Sequence, residues 1–286
     1  MNMLLLSLVL SMVLAQALPV FYDGRTGERI SRSDVESRLS SPRVRAVLSG
    51  EYHGHTIGLK TQFELFEAFV EQHDQAALAM EFFERDMQLA TDEYFSGLIS
   101  TDTFLEKTGK RRNSPSYPRG HEKLVELCRH EGLPMVAANS PRRYNKVARE
   151  QGYEALSQLT SPWQRAMFAV PDKMPSGEYE KRFFELFSDN DEVEQLWRSQ
   201  CLWDSSMAQA VSQSIRRDKR DTFLVVGAFH VQHEGGTVQL LRHYSGLQEH
   251  EIVTMTMLLE NEPVNRLPAH LLDEADIVYF VGDQFD

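Results

Sequence analysis

The sequence predicts an α/β protein with a central, mainly parallel β-sheet flanked by helices. Short, uninterrupted apolar runs lie at residues 44–49, 76–83, 133–139, 222–226, 252–257 and 277–281. Runs without alternation are typical of strands that are buried on both faces, as in parallel sheets. Long helical stretches separate most of these runs, which indicates the α/β class. In that class ligands bind at the carboxyl ends of the strands.

Helical patterning follows the first two runs, at residues 61–73 and 84–94, and dominates residues 94–131 around a basic loop at 110–118. Residues 141–220 contain no convincing strand and have a turn-rich break near 171–177. We interpret them as a helical insertion or cap over the carboxyl edge of the sheet. The sequence therefore predicts one α/β domain over residues 18–286, with this insertion inside it.

The N-terminus predicts export. An uncharged apolar run at residues 4–14 is followed by Ala15-Gln16-Ala17, which has the pattern of a signal-peptide cleavage site. The run is shorter than the roughly 20 residues that span a bilayer. We expect a signal peptide at residues 1–17 and a soluble periplasmic or secreted protein without a transmembrane segment. An uncleaved anchor and a buried N-terminal helix are the alternatives.

The composition excludes several classes of function. A net charge of −12 argues against non-specific nucleic-acid binding, which needs clustered Lys and Arg, but it leaves room for an anionic ligand in a locally basic pocket. Cys128 and Cys201 are too few for a disulfide framework or a cysteine-rich zinc site. Walker A, G-x-G-x-x-G, G-x-S-x-G and H-E-x-x-H motifs are absent from the sequence.

Two G-x-x-H motifs, at residues 50–53 and 227–230, each follow directly on a predicted strand. Glycine at a strand end lets the chain turn out of the sheet without a Cβ clash. If the two strands are neighbours, His53 and His230 converge on one crevice, where imidazoles could bind a metal or transfer protons. The alternative is that they are separate surface or core histidines.

Carboxylates complete the candidate site. Glu51 lies inside the first motif, and Glu81 ends the second apolar run. Glu81 could act as a general base or bind a divalent metal ion together with His53 and His230, or it could cap the following helix. Asp204, in the helical region, either reaches the site or lies on a solvated face.

Five segments resemble the ChaN-like haem-binding proteins and occur in the same order as in that family. They are VLSGEYH at residues 47–53, AMEFFERD at 79–86, VAANSPR at 136–142, QCLWDSSMA at 200–208 and VVGAFHV at 225–231. The resemblance covers residues 43–240 or thereabouts. It implies membership of the Tiki superfamily, which includes erythromycin esterases and Tiki metalloproteases.

In those relatives, catalytic or metal-binding roles lie at positions that match Glu51, His53, Glu81 and His230. The ChaN-like branch implies instead an exported haem-binding protein that is linked to iron uptake and can form a homodimer around haem. This chain departs from the branch at residues 114–121, where an aromatic-rich stretch is expected. Tyr117 and His121 in that segment could still bind haem iron as axial ligands.

Three functional hypotheses follow. The first is an exported haem-binding protein, with the basic loop at residues 110–118 suited to the haem propionates. The second is a hydrolase in which His53, Glu81 and His230 hold a metal ion, or in which Glu51 and His53 activate water directly. The third is an exported protein with a degenerate superfamily site, which the intact Glu and His residues argue against.

Overall fold

The computed structural model describes residues 19–260 and 262–282, so the expected signal peptide at residues 1–17 lies outside the described residues. Its strands are β1 (Val20–Asp23), β2 (Arg29–Ile30), β3 (Ala46–Glu51), β4 (Ala76–Glu84), β5 (Met135–Asn139), β6 (Asp221–Gly227), β7 (Ile252–Leu258) and β8 (Ile277–Phe280). Six of them coincide, within a few residues, with the apolar runs of the sequence. These runs pair as strands because their residues are apolar on both faces.

The helices lie between the strands and in the long segment after β5. They are α1 (Arg32–Leu39), α2 (Thr56–Gln72), α3 (Gln88–Phe95), α4 (Thr101–Thr108), α5 (Arg119–Glu131), α6 (Arg142–Gln151), α7 (Tyr153–Ser157), α8 (Pro162–Arg165), α9 (Glu178–Leu186), α10 (Val193–Arg216) and α11 (Gly236–Ser245). Among the described residues, no helix is both long enough and apolar enough to cross a membrane.

The eight strands form one sheet in the order β2-β1-β8-β7-β3-β6-β4-β5. All strand pairs from β8 to β5 are parallel, and only β1 pairs antiparallel, with β2 and β8. The predicted α/β class with a mainly parallel, helix-flanked sheet is therefore confirmed. The sequence analysis did not predict β1, β2 or α1, because these short elements carry little periodic signal.

Helices cover both faces of the sheet. Successive strand residues point to opposite faces, so Val47 packs in the core on one side while Leu48 packs in the core on the other. The first core includes Phe66 of α2 and Leu124 of α5, and the second includes Val211 of α10. This burial on both sides explains why the central strands are apolar throughout.

Candidate functional site

The two G-x-x-H motifs lie on adjacent parallel strands. β3 pairs with β6, with Glu51 opposite Gly227, so both strands end at the same edge of the sheet. Gly50 allows β3 and the segment after β6 to approach closely, because a Cβ at position 50 would lie 2.9 Å from the Cα of Ala228. The strand register thus directs both motifs into one region, as expected for neighbouring strands.

Glu51 is buried between two imidazoles. Its Oε2 lies 2.8 Å from Nε2 of His121 at the start of α5, and its Oε1 lies 3.3 Å from Nδ1 of His53. Burial raises the pKa of Glu51, but the charges and hydrogen bonds of His121 and His53 outweigh it and hold that pKa below its usual range. Glu51 is therefore a buried carboxylate that orients both rings.

His53 is the exposed member of this group, with 56% of its side chain accessible to solvent. Its ring packs edge-on against Phe82, with ring centroids 5.0 Å apart. The hydrogen bond with Glu51 is the main factor that raises the pKa of His53, burial opposes it, and the charges of Glu81 and Glu51 add to the rise. Its Nδ1 faces Glu51, which leaves Nε2 for another partner.

Glu81 lies on β4, next to the end of β6. Its Oε2 accepts a hydrogen bond from the backbone N–H of Gly227 at 2.6 Å, and its Oε1 lies 3.8 Å from Nε2 of His230. A Cβ at Gly227 would lie 3.3 Å from Cε1 of His53 and 3.4 Å from Oε2 of Glu81. The missing side chain of Gly227 thus leaves room for both groups.

His230 is buried and held by Asp204 of α10. Nδ1 of His230 lies 2.6 Å from Oδ1 of Asp204, which is itself completely buried. Burial lowers the pKa of His230, but the charges of Asp204 and Glu81 reverse this effect and raise it to about 9. His230 is therefore an imidazolium at neutral pH.

Three further side chains support Asp204. The hydroxyl of Tyr179 donates to Oδ2 at 2.6 Å, and the hydroxyl of Thr237 donates to Oδ1 at 2.7 Å. Gln200 donates to the Tyr179 hydroxyl at 2.9 Å. All three residues are buried, so Asp204 lies in a satisfied polar network and not on a solvated face.

An open crevice of about 1100 Å³ lies beside His53 and Glu81, at the carboxyl edge of the sheet. Its walls come from β4, from the end of α4 and the loop after it, from α6 and from α10. The lining side chains include His53, Glu81, Phe82, Glu84, Lys110, Ser116, Asn139, Arg142, Asn145, Lys146, Arg149, Glu150 and Trp203. Its volume suits a large small-molecule ligand.

Tyr117 and His121, the predicted axial ligands, do not line this crevice. Each is only 1% exposed. Tyr117 packs edge-on against Phe83 at a centroid distance of 6.2 Å, and burial raises the pKa of its hydroxyl well above the usual range. The structure brings His121 to Glu51 but does not bring Tyr117 to the candidate site.

The predicted metal-binding set is not assembled in this structure. Within the described part of the chain, no group of three or more His, Cys, Asp or Glu side chains is arranged to hold a metal ion. Of the set His53, Glu81 and His230, the last is engaged at Nδ1 by Asp204.

Three residues acquire a role only in the structure. The sequence left two positions open for Asp204, at the site or on a solvated face, and its contact with His230 shows that it lies at the site. Lys110 comes from the basic loop, and it alone of that loop's three cations lines the crevice. Arg85 is half-buried, and its guanidinium donates to the carbonyls of Ser206 and Ala166.

The family model described as haem-binding uptake, Tiki superfamily, ChaN matches residues 40–241. That is well over half of the 286 residues. The chain belongs to the ChaN family. The family prediction made from the sequence segments is thus confirmed. No curated protein matches this ChaN-family chain by sequence.

Several solved structures are similar to this ChaN-family protein. The structure described as cofacial heme binding to ChaN of Campylobacter jejuni has a TM-score of 0.67 and 17% identity, and the match covers 91% of this chain and 96% of that chain. The type III effector HopBA1 has a TM-score of 0.49 and 11% identity, with 88% and 94% covered. A mutant of the erythromycin esterase EreC in its open conformation has a TM-score of 0.47 and 15% identity, with 84% and 77% covered.

Proposed function

We propose that this protein binds haem in the crevice at the carboxyl edge of β3, β4 and β6, and that His53 is the side chain that binds the iron. The observation that carries the proposal is the exposed imidazole of His53 at a large crevice in a ChaN-family chain. The Campylobacter jejuni relative is described as binding haem, which supports the same class of ligand here.

The residues around His53 fit a haem iron ligand. A histidine that binds a metal usually donates its other ring N–H to a carboxylate or a carbonyl, which fixes the tautomer. Here Nδ1 of His53 faces Oε1 of Glu51 at 3.3 Å. Glu51 is in turn oriented by His121, so His121 supports the ligand from behind instead of binding the iron. Phe82 and Trp203 supply apolar walls for a porphyrin.

Haem would supply its iron as a Lewis acid and redox centre, and the protein would supply orientation and charge. His53 would bind the haem iron, and Phe82 would hold its imidazole in place through the edge-on contact. Glu81 and His230 would form a fixed charge pair beside the iron ligand. The sequence suggested Tyr117 and His121 as iron ligands; that arrangement would require both buried side chains to leave the core, and we therefore propose His53 instead.

A hemin titration of the purified protein tests this proposal. The wild-type protein should give a saturable Soret shift, and His53→Ala should lose most of it. His130→Ala is the matched control, because the side chain of His130 is 84% exposed and its ring pairs with Glu131 on α5, away from the crevice lining. A Soret shift that is unchanged in His53→Ala would reject His53 as the ligand.

We also propose that the protein is exported, acts in iron uptake and forms a dimer around haem. The signal-like residues 1–17 motivate export, and the cofacial binding described for the Campylobacter jejuni relative motivates the dimer. Cell fractionation with N-terminal sequencing tests export. Uptake of haem iron by a deletion strain tests the role in iron uptake. Sedimentation with and without hemin tests the dimer, because a mass that stays monomeric with hemin bound contradicts it.

A metal-free hydrolase is the second candidate function. It is favoured by the pair of His53 and Glu51, in which a buried carboxylate orients an accessible imidazole as a general base should be oriented. Glu81 lies close enough to raise the pKa of His53 through its charge. Ester and peptide substrates assayed with the wild type, His53→Gln and His130→Ala test it, and turnover that is equal in all three would exclude this site.

A further inference from the structure

We infer that Lys110, with Arg142 as a second cation, forms a subsite for the carboxylates of an aromatic anion that occupies the crevice. This inference rests on the proposed haem function in naming the haem propionates as its first ligand. Lys110 follows α4 and Arg142 begins α6, so the two cations come from different elements that line the same crevice.

Among the described residues the ammonium of Lys110 forms no ion pair, and the charge of Glu84 offsets only part of the effect of burial on its pKa. Within the described part of the chain, its ammonium donates to the carbonyl of Phe82 and lies 4.9 Å from the ring centroid of Phe83, and no carboxylate lies within ion-pair distance. Burial lowers the pKa of Lys110 to about 8. A desolvated cation without a carboxylate is stabilised when an anion binds beside it.

The other cations of this loop are differently placed. Arg112 pairs with Glu122 at 2.9 Å, and neither it nor Arg111 lines the crevice. Arg142 lies 3.8 Å from Glu84, but its side chain is 90% exposed and that pair is correspondingly weak. Arg142 can therefore turn toward a ligand, whereas Lys110 is held in the crevice lining by its contact with the Phe82 carbonyl.

The crevice also differs in charge from the rest of the molecule. Four of its lining residues are Lys or Arg and three are Glu, whereas the whole chain has 30 Lys and Arg against 42 Asp and Glu. The lining cations are Lys110, Arg142, Lys146 and Arg149. A locally basic wall in an acidic protein attracts anions to this edge of the sheet.

The position of Phe82 indicates how an aromatic anion would lie. Its ring packs against His53, and its carbonyl accepts the hydrogen bond from Lys110. His53 therefore contacts the side chain of Phe82, and Lys110 contacts its main chain. A flat ligand whose face contacts the Phe82 ring would have its acidic edge near Lys110.

The test compares three probes on the wild type, Lys110→Gln, Lys110→Arg and the control Lys107→Gln. Lys107 lies on α4, three residues before Lys110, is exposed and does not line the crevice. The probes are hemin, hemin dimethyl ester (whose propionates carry no charge) and fluorescein (an aromatic dianion without iron). Thermal unfolding of each variant shows that it is folded.

We expect Lys110→Gln to weaken hemin binding about tenfold, the size of one lost charge-assisted hydrogen bond. Hemin dimethyl ester should bind the wild type and Lys110→Gln equally, and fluorescein should follow hemin. Lys110→Arg should restore most of the affinity, and Lys107→Gln should match the wild type. Arg142→Gln should cause a smaller loss, because that side chain is exposed.

The outcomes separate this inference from the proposed function. Hemin affinity that is equal in the wild type and Lys110→Gln overturns the subsite, and so does an equal loss for hemin and its diester, which would mark a structural role. A wild type that binds fluorescein in a Lys110-dependent way but gives no Soret shift rejects haem and retains the subsite. A wild type that binds neither hemin nor fluorescein rejects both.

Discussion

Nε2 of His121 lies 2.8 Å from Oε2 of Glu51, although 70 positions separate the two residues in the sequence. Imidazoles and carboxylates alternate along this edge of the sheet. Glu51 lies between His121 and His53, and His230 lies between Glu81 and Asp204. Each carboxylate thus has an imidazole beside it. The arrangement explains how several buried ionisable groups coexist at one sheet edge.

Glu51→Gln should shift the pH dependence of hemin binding. In the proposed function the iron would bind the unprotonated Nε2 of His53. A protonated His53 must then lose a proton first, and affinity should rise with pH through the pKa of His53. Glu51 is the main cause of the raised pKa of His53, so its removal should move the midpoint to lower pH.

Hemin titrations between about pH 5 and about pH 9 measure this midpoint. Glu131→Gln is the control, because Glu131 pairs with the exposed His130 at 2.8 Å outside the crevice. A midpoint that is the same in Glu51→Gln and the wild type would show that His53 does not control binding.

Asp204→Asn should destabilise the fold, by about 3 kcal/mol, because it leaves the buried imidazolium of His230 without its main counterion. The folded pKa of His230, about 9, lies above its ordinary value of 6.5. The stabilisation from Asp204 is therefore complete below about pH 6.5 and is lost as the pH rises through about 9.

Urea unfolding at several pH values measures both effects. The free energy of unfolding of the wild type should fall between about pH 6.5 and about pH 9, and this slope should be reduced in Asp204→Asn. Asp172→Asn, at a 68% exposed carboxylate paired with His243, should stay within about 0.5 kcal/mol of the wild type. Equal slopes in both variants would contradict the role of Asp204.

Gly227→Ala should lower hemin affinity several-fold with little loss of stability. Gly227 has φ −58°, a conformation that alanine adopts without strain, but the new Cβ would lie 3.3 Å from Cε1 of His53 and 3.4 Å from Oε2 of Glu81. Both groups must move by a few tenths of an ångström. Hemin titration and thermal unfolding of the same sample separate displacement of the site from loss of the fold.

Arg85→Lys should loosen the segment between α8 and α9. The guanidinium of Arg85 donates to Ser206 O at 2.6 Å and to Ala166 O at 3.1 Å, and a lysine cannot reproduce this fork. Trypsin should therefore cut faster after Arg165 or Lys173 in the variant, as followed by mass spectrometry. Arg43→Lys, at an exposed position, is the control, and equal cleavage rates would exclude this role for Arg85.

The local pattern of the chain was enough to predict the parallel sheet and the sheet edge at which the two motifs meet. Apolar runs without alternation mark buried strands, and each G-x-x-H follows such a run directly. Because β3 and β6 are parallel neighbours, His53 and His230 follow strands that end together. The five segments that resemble the family could also be recognised, since each is a contiguous stretch of sequence.

Contacts between distant segments were decided by the tertiary structure alone. The burial of Tyr117, the pairing of His121 with Glu51 and that of Asp204 with His230 depend on how α5 and α10 pack on the sheet. Helical periodicity identifies an apolar face but not which strand end that face covers. The sequence by itself therefore determined the class, the family and the edge of the sheet, whereas packing decided which side chains face the crevice and which support them from the core.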